Sequence, residues 1–296
     1  MDIKEYLNDK RRQVEEALIH CMLPAAGPLA RHIEAMRYSL FAGGKRVRPV
    51  LCLAAAEALG SDPAPLLPVA CALECIHTYS LIHDDLPAMD DDELRRGKPT
   101  NHVVFGEAAA ILAGDGLLTL AFDLMSDPAL RSHISDTDRL RLIQVVARAA
   151  GPMGMVGGQA LDVASEGQAV DFETLRTIHR CKTGALITCS VQVGAIIGRA
   201  DAAQYEALTR YGEAIGLAFQ IVDDLLNVEG STEELGKAAG SDAEREKATY
   251  PAFFGVEGTR AKAQEAVAMA ETALVGFDHQ ADPLRLLARY IINRKR

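Results

Sequence analysis

The chain has no tryptophan and only 5% aromatic residues, so its interior must be filled by aliphatic side chains rather than rings. Alternating runs of β-branched residues are scarce, which argues against a sheet-based core. The six cysteines, Cys21, Cys52, Cys71, Cys75, Cys181 and Cys189, form no Cys-x-x-Cys pair and lie mostly among apolar residues, a pattern of reduced core thiols. Cys71 and Cys75 supply half of a metal site at most, because no second Cys/His pair at suitable spacing completes it. The N-terminal Met1-Asp2-Ile3-Lys4-Glu5 lacks the apolar core of a signal peptide. No uncharged apolar stretch reaches the roughly 20 residues of a membrane span. Positive charge is also short: a formal net charge of -10 repels nucleic-acid phosphates. The expectation is a soluble, cytoplasmic protein with no nucleic-acid partner and no membrane span.

What is present is apolar residues, 49% of the chain, recurring every three or four positions. The periodic segments are roughly 3 to 20, 29 to 42, 49 to 60, 66 to 86, 105 to 126, 138 to 149, 171 to 199, 202 to 227, 258 to 275 and 281 to 292. Turn or helix-end chemistry punctuates them at Gly43-Gly44, Ser61-Asp62-Pro63, Gly97-Lys98-Pro99 and Gly151-Pro152, and Asp171 and Asp201 are suited to N-caps. No linker composition interrupts the chain, so residues 1–296 read as one all-α domain of about ten or more helices. Several segments are apolar on more than one face, as in a bundle around a central cavity.

Two aspartate-rich stretches stand out: Asp84-Asp85-Leu86-Pro87-Ala88-Met89-Asp90 and Asp223-Asp224-Leu225-Leu226-Asn227, each after an apolar helical run. Carboxylates crowded at the end of a buried helix lose hydration and repel one another, so a cation is expected to join them. An all-oxygen donor set that leaves room for water and phosphate oxygens suits Mg²⁺. Asp223 and Asn227, four apart, share a helix face, with Phe219 one turn earlier and Gln220 just before Asp223. Asp84 and Asp90 are six apart, about 600° of rotation, and face opposite ways on a straight helix. Pro87 should end or kink the helix and let Asp90 swing back beside Asp84. Asp91, Asp92 and Glu93 read as a solvated acidic end.

Basic residues gather near these motifs, in Gly43-Gly44-Lys45-Arg46-Val47-Arg48-Pro49 and Arg95-Arg96-Gly97-Lys98. Arginine forks suit phosphate oxygens, and Gly44 permits close backbone approach, but the Walker spacing is missing and a P-loop is rejected. Lys182-Thr183 lies in an apolar helical run, and Gly157-Gly158-Gln159 leads to Asp162. No Ser-His-Asp or Cys-His arrangement is credible.

In order along nearly the whole chain, GGKRVRP at 43 to 49, HTYSLIHDDLPAMDDDELRRGKPTNH at 77 to 102, GGQALD at 157 to 162, KTGALI at 182 to 187 and FQIVDDLLN at 219 to 227 resemble the trans-isoprenyl diphosphate synthases, most closely the bacterial short-chain farnesyl type. The resemblance implies a helical bundle around a deep apolar cavity, usually homodimeric, with the two aspartate motifs facing across its mouth. It implies that Asp84, Asp90 and Asp223 bind Mg²⁺, three ions per site when diphosphate is bound, and that Asp85 belongs to the catalytic motif. Arg95, Lys182 and Lys237 would hold the allylic diphosphate; Lys45, Arg48, His77 and Arg96, beside Gly44, would hold isopentenyl diphosphate. Thr183 and Gln220 would line the reacting centre, and Lys247 would lie in a segment that closes over it. Tyr79 and Ser80, just before Asp84, are the family's chain-length positions, and bulky Tyr79 implies a floor that stops growth at C15.

Two departures from the family pattern are Asn227 at the last position of the second motif, where Asp is commonest, and Glu246 before Lys247, where relatives often have Gly. Asn keeps a neutral oxygen ligand and drops a charge. A terpene cyclase needs an Asn/Asp, Ser/Thr, Glu metal triad that residues 223 to 231 lack. The remaining alternatives are a C10 or C20 synthase and a non-catalytic regulatory subunit that binds prenyl diphosphates.

Overall fold

Apolar periodicity turns into helices α1 (Ile3–Cys21), α2 (Ala30–Leu40), α3 (Val47–Glu57), α4 (Leu67–Asp84), α5 (Asn101–Phe105), α6 (Glu107–Ser126), α7 (Asp136–Ala150), α8 (Met155–Ala164), α9 (Phe172–Ile178), α10 (Ala185–Ile197), α11 (Ala202–Glu229), α12 (Tyr250–Ala273) and α13 (Asp282–Asn293). The structure is a computed structural model describing residues 1–229 and 248–293. The only strands among the described residues are β1 (Leu94–Arg95) and β2 (Lys98–Pro99), an antiparallel ribbon pairing Leu94 with Pro99 and Arg95 with Lys98. Local chemistry sets the helix starts. Asp171 accepts from Thr174 N at 2.8 Å, while Asp201 accepts from Gln204 N at 2.8 Å and Gln204 reaches back to Asp201 N, a reciprocal capping box.

The described residues fall into two compact units. The first comprises Leu7–Val50 and Ala64–Arg139; the second comprises Met1–Tyr6, Leu51–Pro63 and Leu140–Arg296. The core of the first unit is α4, from Val69 to Ile82 buried on nearly every face, packed against α2 and α6. Such burial explains why its apolar residues surround the helix instead of forming a stripe. Ala64–Asp84 and Glu107–Ser132 are long and apolar enough, by length and composition alone, to cross a membrane; 67% of the 18-residue apolar window of the first is buried inside the protein, against 39% of that of the second. The core of the second unit is α10 against α11, with α12 and α13 packed on α11. Tyr211, fully buried, donates its hydroxyl to Leu284 O at 2.7 Å and ties α11 to α13.

Four segments differ from the sequence expectation, and one of them, the run expected at 258 to 275, already begins at Tyr250. The run expected at 105 to 126 begins earlier and is broken at Gly106, whose φ of 91° no helix accommodates. The run expected at 171 to 199 is interrupted by a π-turn, His179–Gly184. Helix α8 is an addition that the glycines of Met155-Val156-Gly157-Gly158 hid, since glycine weakens a helical reading. Gly158 is required there: a Cβ would stand 2.2 Å from Lys182 N.

Candidate active site

In the first unit, α4 delivers its last residue, Asp84, to a tight turn. The helix stops before Pro87 as expected, and Asp90 N–H bonds Asp84 O at 2.8 Å, so the chain doubles back and brings the Asp90 backbone against Asp84. Both carboxylates are partly exposed. Asp85 has a different setting: only 3% exposed, it takes Arg95 Nε at 2.7 and 2.9 Å on its two oxygens while Arg95 Nη2 closes on Oδ1 and lies 3.5 Å from Asp92. Burial raises the Asp85 pKa, against the pull of Arg95. Burial lowers that of Arg95, but the hydrogen bond and charge of Asp85, then Asp92 and Asp84, outweigh it. The bidentate fork is the geometry of an ionised pair, which aims the guanidinium rather than binding a cation.

Arg96, next on the ribbon, donates through Nη1 to Gly43 O. Its guanidinium occupies the space where a Gly44 Cβ would be, at 2.6 Å from Nη1, and Gly44 itself has φ of 134°. Arg46, Asp91 and Arg96 all adopt left-handed backbone (φ 54°, 50° and 55°) around this turn, a conformation that costs a non-glycine residue about 1–2 kcal/mol. Arg46 is consumed internally: it bonds Glu74 at 2.8 Å and Leu40 O at 2.8 Å with both charged groups almost wholly buried. His77 is pushed well below the usual histidine range, first by burial and then by the positive charges of Arg48, Arg96, Arg95 and Arg46, and is neutral at physiological pH. Two of these guanidiniums are already paired with carboxylates, Arg46 with Glu74 and Arg95 with Asp85. Lys45 is exposed and Arg48 half-buried beside them.

Tyr79, 6% exposed, meets the His83 ring edge-on at 5.6 Å, and His83 Nε2 lies 3.0 Å from Ile111 O. Gly114 gives His83 its seat, because a Cβ there would come within 2.2 Å of Nε2. Ser80 Oγ is turned back to His77 O at 2.9 Å.

In the second unit, α11 carries Gln220, Asp223, Asp224 and Asn227. Neighbours on a helix point about 100° apart, and here Asp223 is partly exposed whereas Asp224 is buried. Asp224 Oδ2 accepts Tyr250 N–H at 2.8 Å, and Oδ1 is 3.8 Å from His179 Nε2. Asn227, on the Asp223 face by spacing, is itself 6% exposed. The π-turn carries Lys182 and Thr183, both half-buried, and Lys182 Nζ bonds Asp162 at 2.6 Å. Gln159 on α8 has both amide atoms buried with no hydrogen-bond partner in this structure. Lys237, Glu246 and Lys247 lie outside the described residues.

Each unit thus contributes its own part of the expected set: Asp84, Asp85, Asp90, His77, Arg48, Arg95 and Arg96 in the first, Lys182, Thr183, Gln220 and Asp223 in the second. Sequence reasoning did not assign Asp224, His179, Asp162 or the Arg46–Glu74 pair. A signal for Asp224 existed, since two adjacent helical carboxylates cannot face one ion. Among the described residues no three His, Cys, Asp or Glu side chains enclose a metal point. Asp84 and Asp90, carboxylates on one turn with no nitrogen or sulfur donor assigned there, fit a hard cation completed by phosphate and water oxygens, as Mg²⁺ requires.

An all-α chain with aspartate-rich helix ends and basic clusters beside one of them has the features of an isoprenoid-diphosphate enzyme. More narrowly, residues 30–276 match the Polyprenyl synthetase family, and the chain belongs to that family. It is 50% identical to farnesyl diphosphate synthase of Geobacillus stearothermophilus over 294 residues, 99% of this chain and 98% of that one. It is also 48% identical to geranylgeranyl pyrophosphate synthase 12, chloroplastic, of Arabidopsis thaliana, over 99% of this chain and 82% of that protein. Among solved structures, an FPP/GFPP synthase from Zymomonas mobilis in its apo form superposes with a TM-score of 0.87 at 40% identity, covering 98% of each chain.

Proposed function

We propose that this prenyltransferase condenses isopentenyl diphosphate with dimethylallyl or geranyl diphosphate, releasing diphosphate and forming the C15 product farnesyl diphosphate. The observation that carries the reading is the arginine cluster around a neutral His77, two turns of helix before Asp84 and its reversal to Asp90. Asp85 holds Arg95 in a fixed direction, so its free edge meets the leaving diphosphate without reorganising. Arg96, wedged over Gly44, and Arg48 with Lys45 and His77 take the diphosphate of the acceptor. Lys182, aimed by Asp162, would bind the allylic diphosphate, as would Arg95, with Thr183 and Gln220 lining the reacting centre, while the roles of Lys237 on that diphosphate and of Lys247 in closure rest on the family resemblance alone. Asp84, Asp90 and Asp223 would hold Mg²⁺, three ions per site, whose charge neutralises the leaving group as the C–O bond breaks. The acceptor double bond attacks the allylic cation and the departed diphosphate takes the proton, so no protein nucleophile is needed.

Tyr79, locked by His83, forms the floor that sets C15. A C20 product is the second reading, favoured by the 48% identity to a geranylgeranyl synthase. The family match spans both units, supporting a single polyprenyl synthase domain over residues 1–296. A cytoplasmic homodimer without a membrane span completes the reading. Its test is incubation of the purified protein with Mg²⁺, isopentenyl diphosphate and dimethylallyl or geranyl diphosphate, with products identified by mass spectrometry. C15 is expected; C20 keeps the reaction and removes the floor from Tyr79, and absence of Mg²⁺-dependent condensation overturns the reading.

A further inference from the structure

Helix α12 begins without a local cap: Thr249 offers no side-chain hydrogen bond, and Pro251 has no N–H to satisfy. Ala252 N bonds Thr249 O, which leaves the Tyr250 N–H, and Asp224 takes it from 26 residues away in the sequence. An anion at that end also complements the helix dipole. The same carboxylate faces His179, whose ring stacks on Tyr250 with centroids 5.6 Å apart and planes 16° from parallel. Phe172 at the start of α9 packs edge-on against Tyr250 and Phe254 from the other side. His179 is also the first residue of the π-turn bearing Lys182 and Thr183, and Gly216 of α11 lies against Gly184 at the other end of that turn, where a Cβ would stand 3.0 Å from Gly184 Cα.

We infer that Asp224 is a positioning residue rather than a metal ligand: with His179 it fixes the first turn of α12 against the π-turn that holds Lys182 and Thr183. The two adjacent carboxylates of the motif thereby divide the work, Asp223 toward the ion and Asp224 toward the backbone. Burial supports the division, because Asp224 is only 7% exposed and spends one oxygen on the Tyr250 amide. His179, held near a pKa of about 4 by burial, faces Asp224 as a neutral ring and not as an ion-pair partner.

The kinetic arm of the test rests on the proposed prenyl transfer; the exchange arm does not. Asp224→Asn keeps an acceptor for the Tyr250 amide, whereas Asp224→Ala removes it. In the full chain, Asp224→Ala should speed amide hydrogen exchange over residues 250 to 254 by about tenfold or more and raise the KM for geranyl diphosphate about fivefold, leaving half-saturation by Mg²⁺ in place. Asp224→Asn should stay within about twofold of the parent in all three quantities. Asp223→Asn should do the reverse of the alanine variant, moving Mg²⁺ half-saturation about fivefold or more without altering exchange. His179→Ala should follow Asp224→Ala, and His179→Phe, which keeps the stack on Tyr250, should restore the exchange rate. If Asp224→Asn shifts the Mg²⁺ dependence as far as Asp223→Asn does, or exchange is unmoved in Asp224→Ala, the assignment is wrong. A parent protein that condenses nothing would defeat the enzymatic reading alone, with the exchange arm still deciding this one.

Discussion

Gly44 shows how little freedom a single position can have. Its φ of 134° is open to glycine, and any Cβ meets the Arg96 guanidinium at under 3 Å. Gly44→Ala should therefore push Arg96 off Gly43 O and raise the KM for isopentenyl diphosphate about tenfold, with a smaller change in kcat, since the lost contact binds ground and transition states alike. Steady-state kinetics check this, and an unaltered KM would remove Arg96 from the acceptor site. His179 gives a pH prediction. Its pKa falls from 6.5 to about 4 on folding, so the unfolded chain binds the extra proton first as pH drops. The stabilisation is complete above pH 6.5, declines between 6.5 and 4, and amounts to about 3 kcal/mol at roughly 1.4 kcal/mol per unit. Denaturant unfolding should show the slope of stability against pH in that window flattened in His179→Phe relative to the parent. Parallel curves would mean that the proton uptake belongs elsewhere. The aspartate motifs and the basic clusters were legible in the sequence by spacing, but the pairing of Arg46 with Glu74 and of Asp85 with Arg95 depends on burial and on contacts across 28 and 10 residues, which spacing does not reveal.

At the scale of elements, helices were legible wherever apolar spacing ran unbroken, as in α4 and α11. They were lost where tertiary contact demanded glycine. Gly158 makes the point in α8, which apolar spacing does not reveal; Gly194 lies in α10, which it does, yet is held as tightly, since each would place a Cβ 2.2 Å from a backbone atom, of Lys182 in one case and Cys52 in the other. Both alanine variants should lose about 1–3 kcal/mol to overpacking in denaturant unfolding. Their activities should separate. Gly158→Ala displaces the π-turn and should raise the KM for the allylic diphosphate, while Gly194→Ala, at the contact of α3 with α10, should leave it unchanged once the protein is folded. Equal kinetic damage from both would show that general loosening, not the place of Lys182, sets the KM. The π-turn itself has no sequence signal of its own: Cys181-Lys182-Thr183-Gly184 continues an apolar helical run, and in the structure Gly184 sits close against Gly216.

The whole molecule carries a formal charge of -10 and still leaves much of α6 uncovered. Ile111 and Leu112 are 44% and 57% exposed on that helix, and Val103 and Val104 of α5, which packs on it, are 51% and 44% exposed. Single exposed aliphatics mean little, but a helix with a mean hydropathy of 1.6 over its apolar window and 39% of that window buried has surface to cover. A second copy of the chain is the occupant that the proposed homodimer requires, and an isologous contact through α5 and α6 would bury these residues from both sides. Sedimentation at micromolar concentration should then report twice 31.8 kDa for the parent. Leu112→Glu adds to a charge that is already of one sign and places it at the contact, so it should shift the protein to the monomer mass. In a monomeric protein the same substitution on an exposed position would alter stability by no more than about 0.5 kcal/mol and change nothing in the sedimentation. A parent that sediments at 31.8 kDa would dispose of the dimer, and a dimer indifferent to Leu112→Glu would move the interface to another face.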